Sequence, residues 1–276
     1  MPLVTSPTDS ELPLLSGKQH TEPSLFQPAN LLREARRQRG LPEVSVPKVC
    51  LLDPDGDIAR YLAAGAEGSR HPGWACYHTE MWTLDHDGLE LGVVGMAVGA
   101  PFAVLVAEQL AASGAELVIS VISAGQIAAL PTTPCFVLID RALRDEGTSA
   151  HYLPSGRWSQ LPDNLRAPLI RGLEAQTRDL AQPVLTGASW TTDAPYRETA
   201  TAIADAEAAG AVCVEMEAAA LYAYAQATGR AVVCIAHITN TMATAGDDFE
   251  KGADNGVHDA LATVHAIASL LRSPQT

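Results

Sequence analysis

The sequence predicts an α/β fold, and three observations support this expectation. From Val46 onward, short apolar runs typical of strands alternate with segments that have helical spacing. Hydrophobic residues make up 47% and charged residues 18% of the 276 residues, which is the balance of a folded globular protein. No repeat with a period of roughly 20–50 residues is visible, so a repeat architecture is not expected.

This alternation gives the predicted elements in chain order. Strands are predicted at residues 48–52, 74–84, 89–96, 117–122, 135–139, 183–189, 212–215 and 231–238. Helices are predicted at residues 58–64, 101–113, 165–180, 199–208, 216–228 and 256–271. The loops between them are too short and too ordinary in composition to act as interdomain linkers. We therefore expect a single domain at residues 46–276.

The N-terminal part of the chain has a different composition. Residues 1–24 are rich in Pro, Ser, Thr and Glu, which predicts a flexible tail. Residues 25–45 are predicted to form an arm, in which a cap at residues 28–30 starts a helix that ends at Gly40. This helix carries four arginines. It either docks on an acidic surface of its own or a neighbouring subunit, or binds an anion.

The charge balance limits the classes of partner. With 18 basic and 32 acidic residues, the formal net charge is −14. Such a field repels phosphate backbones and anionic membrane surfaces, so neither a nucleic acid nor a membrane is expected as a partner. A small anionic substrate would need a local basic or amide-rich pocket in this acidic molecule.

The five cysteines indicate a reducing compartment. They are odd in number, far apart and mostly in apolar runs, and no CxxC motif is present. This pattern predicts buried free thiols rather than a disulfide or zinc framework. The N-terminus has no secretion signal, and no apolar stretch reaches the roughly 18 residues of a membrane span, which together predict a cytoplasmic protein. The acidic stretch at residues 246–252 is interpreted as a loop before a helix, so we assign no metal, and no cofactor is expected.

Several polar motifs lie where predicted strands end. The loop at residues 95–101 leaves a strand and opens a helix, so its free amides either hold an anion or simply make a tight turn. Its glycine spacing does not match a dinucleotide or P-loop motif. Ser123, Ala124 and Gly125 follow the next strand, where they either face the edge of the sheet at which ligands bind in α/β proteins or form a plain strand-end turn. A polar cluster follows at residues 144–154.

Two carboxylates, Glu215 and Glu217, flank Met216 where an apolar strand becomes an Ala-rich helix. Acidic residues gain about 0.3–1 kcal/mol near a helix N-terminus, which is one explanation for them. A buried carboxylate at a strand end is also well suited to accept hydrogen bonds from both hydroxyls of a sugar diol.

Taken in order, these motifs resemble the nucleoside phosphorylase superfamily, and most closely its uridine phosphorylase branch. The resemblance covers residues 48–271. Residues 214–220 are similar to the V-E-M-E-A-A motif of the family, and residues 144–154 to R-x-D-G-x-S-x-H-x-x-P. Residues 192–196 are similar to S-D-x-F-Y.

The resemblance implies a three-layer αβα fold with a mixed, partly barrel-like central sheet, and a homo-oligomer that is a dimer, trimer or hexamer. It also implies cleavage of the N-glycosidic bond of a nucleoside, through an oxocarbenium-like transition state. By position, Glu217 is implied to bind the ribose 2′- and 3′-hydroxyls and to be catalytic. Met216 would pack under the sugar and Glu215 would line the pocket. Ser123 matches the hydroxyl that contacts phosphate, while Ala124 and Gly125 match the backbone beside the base.

The residues implied to bind phosphate depart from the family pattern. The G-D-P-x-R loop of the family aligns either on Asp53-Pro54, without its arginine, or on Gly56 with Arg60 at the correct spacing, and we prefer the second alignment. The second phosphate arginine corresponds to Ser120, and the third falls near Tyr77 or His78. Because arginine makes the strongest contacts with phosphate, these losses should weaken phosphate binding.

The residues implied to contact the base also depart from the pattern. Asn240, which the resemblance implies to be catalytic, replaces an aspartate that assists protonation of a purine. Its amide can donate a hydrogen bond to a base carbonyl but cannot act as a general acid. The uracil-reading Gln and Arg of the family align with Thr199 and Thr201. Arg197 and Glu198 lie next to these positions and are candidate replacement base-binding residues, unless they form a surface ion pair. Asp193, in the stretch similar to S-D-x-F-Y, is also implied to bind the base.

Three functions remain open at this stage. The first is phosphorolysis of a nucleoside to free base and pentose 1-phosphate, with the nucleoside and inorganic phosphate as partners. We place it slightly ahead because the most similar branch uses phosphate. The second is hydrolysis by a nucleosidase, which needs no cationic phosphate site. The third is a divergent member that binds a nucleoside without cleaving it.

Overall fold

Ten strands form one continuous sheet in the computed structural model, which describes residues 14–65, 67–240 and 251–272. The strands are β1 Val49–Asp53, β2 Ser69–Arg70, β3 Met81–His86, β4 Leu89–Gly95, β5 Leu117–Gln126, β6 Cys135–Asp145, β7 Trp158–Gln160, β8 Val184–Thr192, β9 Ala211–Glu215 and β10 Ala231–Asn240. The helices are α1 Pro28–Arg39, α2 Asp57–Ala64, α3 Ala100–Ala112, α4 Ser149–Tyr152, α5 Asp163–Thr177, α6 Ala200–Ala208, α7 Ala218–Thr228 and α8 Val257–Arg272. The expected alternation of strands and helices is confirmed.

The sheet is mixed and partly closed. Strands β10, β6, β8, β9 and β5 are neighbours in that order, and β5 pairs with β10 in parallel, which closes these five strands into a barrel. Outside the barrel, β1 lies parallel to both β5 and β4, and β3 and β2 extend the sheet by antiparallel pairing. The expected mixed, partly barrel-like sheet is confirmed.

Helices cover the sheet, and the strands are correspondingly apolar. Every residue of β1 is buried, as is expected for a strand that has helices on both faces. Helix α3 packs against α7, while α5 and α2 pack against α8. The five cysteines are buried with free thiols, as the sequence predicts.

Some predicted elements differ in extent. Residues 74–80 form a loop rather than the start of β3, and the indole of Trp74 donates to the Thr79 hydroxyl 2.9 Å away within it. Strand β6 continues past its apolar part to Asp145, because its polar second half pairs with β7 and β8. Strands β2 and β7 and helix α4 have two to four residues each, too few to give a periodic sequence signal.

Helix α1 begins at Pro28, one of the residues that the sequence assigned to the cap, and ends where Gly40 adopts a left-handed conformation with φ 64°. Its arginines contact their own chain. Arg36 donates to the Ser113 hydroxyl at 3.5 Å and Arg39 to the Cys76 carbonyl at 2.9 Å, while Arg33 and Arg37 both pair with Glu34. These contacts favour the docking role of this helix over anion binding. None of the helices in the described ranges is long and apolar enough to cross a membrane.

Candidate active site

The junction between β9 and α7 holds two buried carboxylates. Glu215 is the last residue of β9, and its side chain accepts hydrogen bonds from the hydroxyls of Ser189 at 2.9 Å and Thr191 on the neighbouring strand β8. Its other oxygen accepts from the backbone N–H groups of Glu217 at 2.6 Å and Ala218 at 2.7 Å. Burial raises the pKa of Glu215, and these hydrogen bonds oppose that rise. Glu215 therefore holds the start of α7 with one oxygen and is fixed to strand β8 through the other.

Glu217 is equally buried, with 2% of its surface exposed, but has fewer partners. Its Oε1 accepts a hydrogen bond from the backbone N–H of Gly99 at 2.5 Å. Gly99 belongs to the loop before α3, whose free amides are expected either to hold an anion or to make a tight turn. In the structure, one of these amides donates to a carboxylate of the same chain. Burial, and next the nearby charge of Glu215, raise the pKa of Glu217 to about 8. This side chain keeps capacity for further hydrogen bonds.

A second polar cluster lies around the loop between β1 and α2. The Ser123 hydroxyl on β5 donates to the Asp55 carboxylate, and so does the ammonium of Lys251. Lys251 also donates to Asp57 at 2.7 Å, and Arg60 pairs with the other oxygen of Asp57 at 2.7 Å. The hydroxyl that the family resemblance assigns to phosphate thus meets a carboxylate of its own chain.

The amides at the start of α2 are also occupied internally. Asp53, the last residue of β1, accepts hydrogen bonds from the backbone N–H groups of Gly56 at 3.1 Å and Ala59 at 2.9 Å. Burial raises the pKa of Asp53 to about 6, with a smaller contribution from the charge of Asp57. Because Asp53 already satisfies these helix N-terminal amides, they are not available to an external anion.

The two clusters belong to one site. The loop that holds Glu217 through the Gly99 amide also carries Met96, and a Cβ added at Gly56 would lie 2.8 Å from Cγ of Met96, so the two loops adjoin. Strand β5 connects the clusters, because Ser123 meets Asp55 while Gly125 pairs with Val214, just before Glu215. The arrangement therefore has a deeply buried carboxylate at one end and a cluster of ion pairs at the other.

The other residues predicted for the phosphate and sugar have varied environments. Ser120 is fully buried in β5, and its hydroxyl has no hydrogen-bond partner among the described residues. Ala124 is buried and Gly125 half-buried at the end of the same strand. Met216 is half-buried between the two glutamates. Gly56 precedes α2 and donates to Asp53.

The residues predicted for the base lie farther along the chain. The Asp193 carboxylate accepts a hydrogen bond from the Gly147 N–H at 2.8 Å, which joins two of the loops singled out in the sequence. Arg197 is exposed on a short 3-10 turn, and the ion pairs within the described ranges include none between Arg197 and Glu198. Asn240 ends β10 opposite Gly125, but its side chain lies outside the described residues, as does the acidic stretch at 246–250.

Sequence reasoning missed the contributions of Asp55 and Lys251. The only local signal for them was the run of three aspartates at positions 53, 55 and 57. Arg144, the first residue of the polar cluster at residues 144–154, is engaged by its own loop. Its guanidinium donates to the Ser149 hydroxyl at 2.8 Å and to the carbonyls of Pro154 at 2.7 Å and Leu153 at 3.2 Å. In the described part of the chain, no group of His, Cys, Asp and Glu side chains is arranged to hold a metal ion.

Comparisons with known proteins agree with this geometry. The family model described as the phosphorylase superfamily matches residues 52–271. Among the curated proteins, no sequence matches this chain. A uridine phosphorylase from Vibrio fischeri, solved with 6-hydroxy-1-naphthoic acid, is similar in structure with a TM-score of 0.64 at 19% identity, over 82% of this chain and 90% of that one.

Two further solved structures extend the comparison. The purine nucleoside phosphorylase from Toxoplasma gondii, in complex with immucillin-H, gives a TM-score of 0.66 at 17% identity, over 83% of this chain and 93% of that one. A mutant of the MTAN from Helicobacter pylori, with 5′-methylthioadenosine in its active site, gives 0.63 at 14% identity, over 81% and 98% of the two chains. At these identities the likeness establishes the fold.

Proposed function

This chain belongs to the phosphorylase superfamily, and we propose that it cleaves the N-glycosidic bond of a nucleoside with water as the nucleophile. The observation that carries this proposal is the hydrogen bond from Ser123 to Asp55. In the family resemblance this hydroxyl contacts phosphate, whereas here it serves a carboxylate. The sequence alone favoured phosphorolysis slightly, and the geometry around Asp55 favours its alternative, hydrolysis.

Electrostatics around Asp55 oppose phosphate binding. Three carboxylates, Asp53, Asp55 and Asp57, lie at or beside this loop, and the two cations near them, Arg60 and Lys251, are already paired with Asp55 or Asp57. A phosphate dianion would have to displace Asp55 and would lie next to the remaining carboxylates. Each hydrogen bond to a charged group that is given up costs about 1.5–3 kcal/mol. Water requires none of these exchanges.

At the other end of the site, Glu217 would hold the sugar. In its ionised form the carboxylate accepts hydrogen bonds from two hydroxyls, and the Gly99 N–H fixes its orientation. Met216 would lie under the sugar ring. Fixing the ribose in this way prepares the anomeric carbon for attack from the opposite side to the leaving base.

Asp55 would orient the attacking water and accept its proton. The water oxygen forms a bond with the anomeric carbon, while the glycosidic C–N bond breaks and its electron pair stays with the base. The base then takes a proton from solvent and Asp55 releases the accepted proton to solvent, so the products are a free base and a free pentose. Asn240 would support the departing base with its amide, and Ala124, Gly125, Asp193 and Arg197 would contact it.

We also propose that copies of this chain associate, as a dimer, trimer or hexamer. An apolar groove of about 510 Å³ between α1, α3 and α4 opens beside exposed Phe26 and Leu105. Met96 and Val98, on the loop before α3, are exposed as well. Clustered apolar surface of this kind is typical of protein interfaces. The five free thiols suit a reducing compartment, and we propose a cytoplasmic location.

The test is a nucleoside panel incubated with the purified protein, once in phosphate-free buffer and once with added inorganic phosphate. We expect the same rate of base release in both, and free pentose as the sugar product. A pentose 1-phosphate product, or cleavage that requires phosphate, would show that hydrolysis is the wrong assignment. Absence of cleavage for every nucleoside would instead support a binding function.

A further inference from the structure

Lys251 is held in place by a defined turn. Its side chain is 19% exposed, and it precedes the 3-10 turn Ala253–Gly256 that opens α8. Gly256 has φ 73°, and a Cβ added there would lie 2.8 Å from Cε1 of His237 and 2.9 Å from the Lys251 carbonyl oxygen. The turn therefore packs directly on the His237 ring. That ring is itself stacked on Phe136 with 4.3 Å between ring centroids.

Two hydrogen-bond donors converge on the Asp55 carboxylate from different parts of the chain. Ser123 donates from the end of β5, and Lys251 from the start of the last helical segment. A hydroxyl and an ammonium that meet at one carboxylate form a donor set that also suits a small oxyanion. Asp55 is thus bound in the way that an external anion would be.

Asp55 is also the carboxylate of this loop that the fold needs least. Asp53 caps α2 and is buried, and Asp57 bridges Lys251 and Arg60. Asp55 is 38% exposed, and its hydrogen bonds in the described structure come only from side chains. Without Asp55, Lys251 would still be paired with Asp57 at 2.7 Å. The ammonium would therefore stay in position beside Ser123.

We propose that Asp55 is the residue that determines the choice of nucleophile, because its carboxylate fills a latent oxyanion site formed by Ser123 and Lys251. This inference rests on the proposed hydrolytic function and explains it in a specific way. Phosphate is excluded by the carboxylate of Asp55, which occupies the donors of Ser123 and Lys251, in addition to the weakening caused by the missing arginines. The ligand that this site would take is a small tetrahedral oxyanion such as inorganic phosphate.

The experiment measures binding of inorganic phosphate by isothermal titration calorimetry at constant ionic strength. We expect Asp55→Ala to bind phosphate at least about tenfold more tightly than the wild type, because a charge-assisted donor pair becomes free. Asp179→Ala removes one negative charge from an exposed position just beyond α5 and is the matched control. The double variant Asp55→Ala with Lys251→Met should lose the gain.

Equal phosphate affinity for Asp55→Ala and Asp179→Ala would overturn the proposal, and so would full retention of the gain in the double variant. Circular dichroism establishes that each variant is folded, and Asp55→Ser repeats the test if Asp55→Ala is not. Calorimetry does not depend on catalysis, so its outcome is separate from that of the proposed function. Phosphate-dependent cleavage by the wild type refutes hydrolysis, whereas failure of Asp55→Ala to gain phosphate affinity refutes only the latent site.

Discussion

The two ends of the candidate site are built in different ways. At the sugar end, Glu215 and Glu217 are buried, and backbone N–H groups together with strand hydroxyls hold their carboxylates. At the nucleophile end, the side chains of Asp55 and Asp57 are more exposed, at 38% and 13%, and the side chains of Ser123, Lys251 and Arg60 hold them. Contacts from the backbone persist as long as the fold does, whereas an ion pair changes with one substitution. The comparison indicates that substitutions at the sugar end disturb the fold, whereas substitutions at the nucleophile end can alter the binding of the nucleophile without disturbing it.

Glu217→Gln should have the largest effect on catalysis and so tests the sugar end most directly. The amide keeps the shape of the side chain but loses the charge that accepts the two sugar hydroxyls. We expect kcat/KM to fall roughly a thousandfold, since two charged hydrogen bonds of about 1.5–3 kcal/mol each are lost. The control is Glu174→Gln, at an exposed position on α5. Activity within tenfold of the wild type would remove Glu217 from the sugar site.

Glu215→Ala should have the largest effect on stability. It leaves the hydroxyls of Ser189 and Thr191 and two helix N-terminal amides without their buried acceptor. We expect the free energy of unfolding, measured with urea, to fall by about 3 kcal/mol. Asp55→Ala should lower it by less than about 1 kcal/mol, because its partners are partly solvated side chains. Equal losses for the two variants would contradict the contrast between the two ends.

The raised pKa of Glu217 predicts opposite pH trends for activity and stability. Binding the diol requires the ionised carboxylate, so kcat/KM should rise about tenfold between pH 7 and a plateau above its pKa of about 8. The folded pKa is above the ordinary value of 4.5, so the folded state holds the proton more tightly than the unfolded state does. The contribution of this group to the free energy of unfolding is fully present below pH 4.5 and is lost as the pH rises through about 8.

Kinetics and urea unfolding measured from pH 5 to 9 test both trends. The stability trend attributed to this group should disappear in Glu217→Gln. Asp53, with a pKa of about 6, contributes a loss of stability with the same sign at lower pH and is unaffected by that substitution. If kcat/KM were flat between pH 7 and 9, Glu217 would not be the group that must ionise.

The sequence predicted the sugar end well because its residues are contiguous. The motif at 214–220 places a strand end, both glutamates and a helix start within seven residues, so a local pattern contains the whole junction. Lys251 and Asp55 are 196 positions apart, and no local pattern reports such a contact. The same limit applies to the fold, because the barrel is closed by the pairing of β5 with β10, which only the family resemblance could anticipate.

Arg60 illustrates how a correct spacing can suggest a role that local contacts oppose. It lies four positions after Gly56, as in the phosphate loop of the family, which makes it the preferred phosphate residue. In the structure its guanidinium pairs with Asp57, three residues earlier on α2, and its side chain is 53% exposed. The sequence contains Asp57 as well, but only the geometry establishes that this carboxylate occupies the arginine.

Arg60→Ala should therefore have the smallest effect of these changes, and it distinguishes the two nucleophiles. An exposed ion pair between residues three positions apart on a helix contributes about 0.3–0.5 kcal/mol to the free energy of unfolding. We therefore expect that free energy to fall by no more than this amount, and kcat/KM measured without phosphate to change by less than about threefold. Arg171→Ala, at an exposed position on α5, is the control for loss of one positive charge. If phosphate were the nucleophile, Arg60→Ala would raise the KM for phosphate tenfold or more while Arg171→Ala would not. That result would make the nucleophile end a phosphate site despite its aspartates, and the contrast between the two ends would then lie only in how their side chains are held.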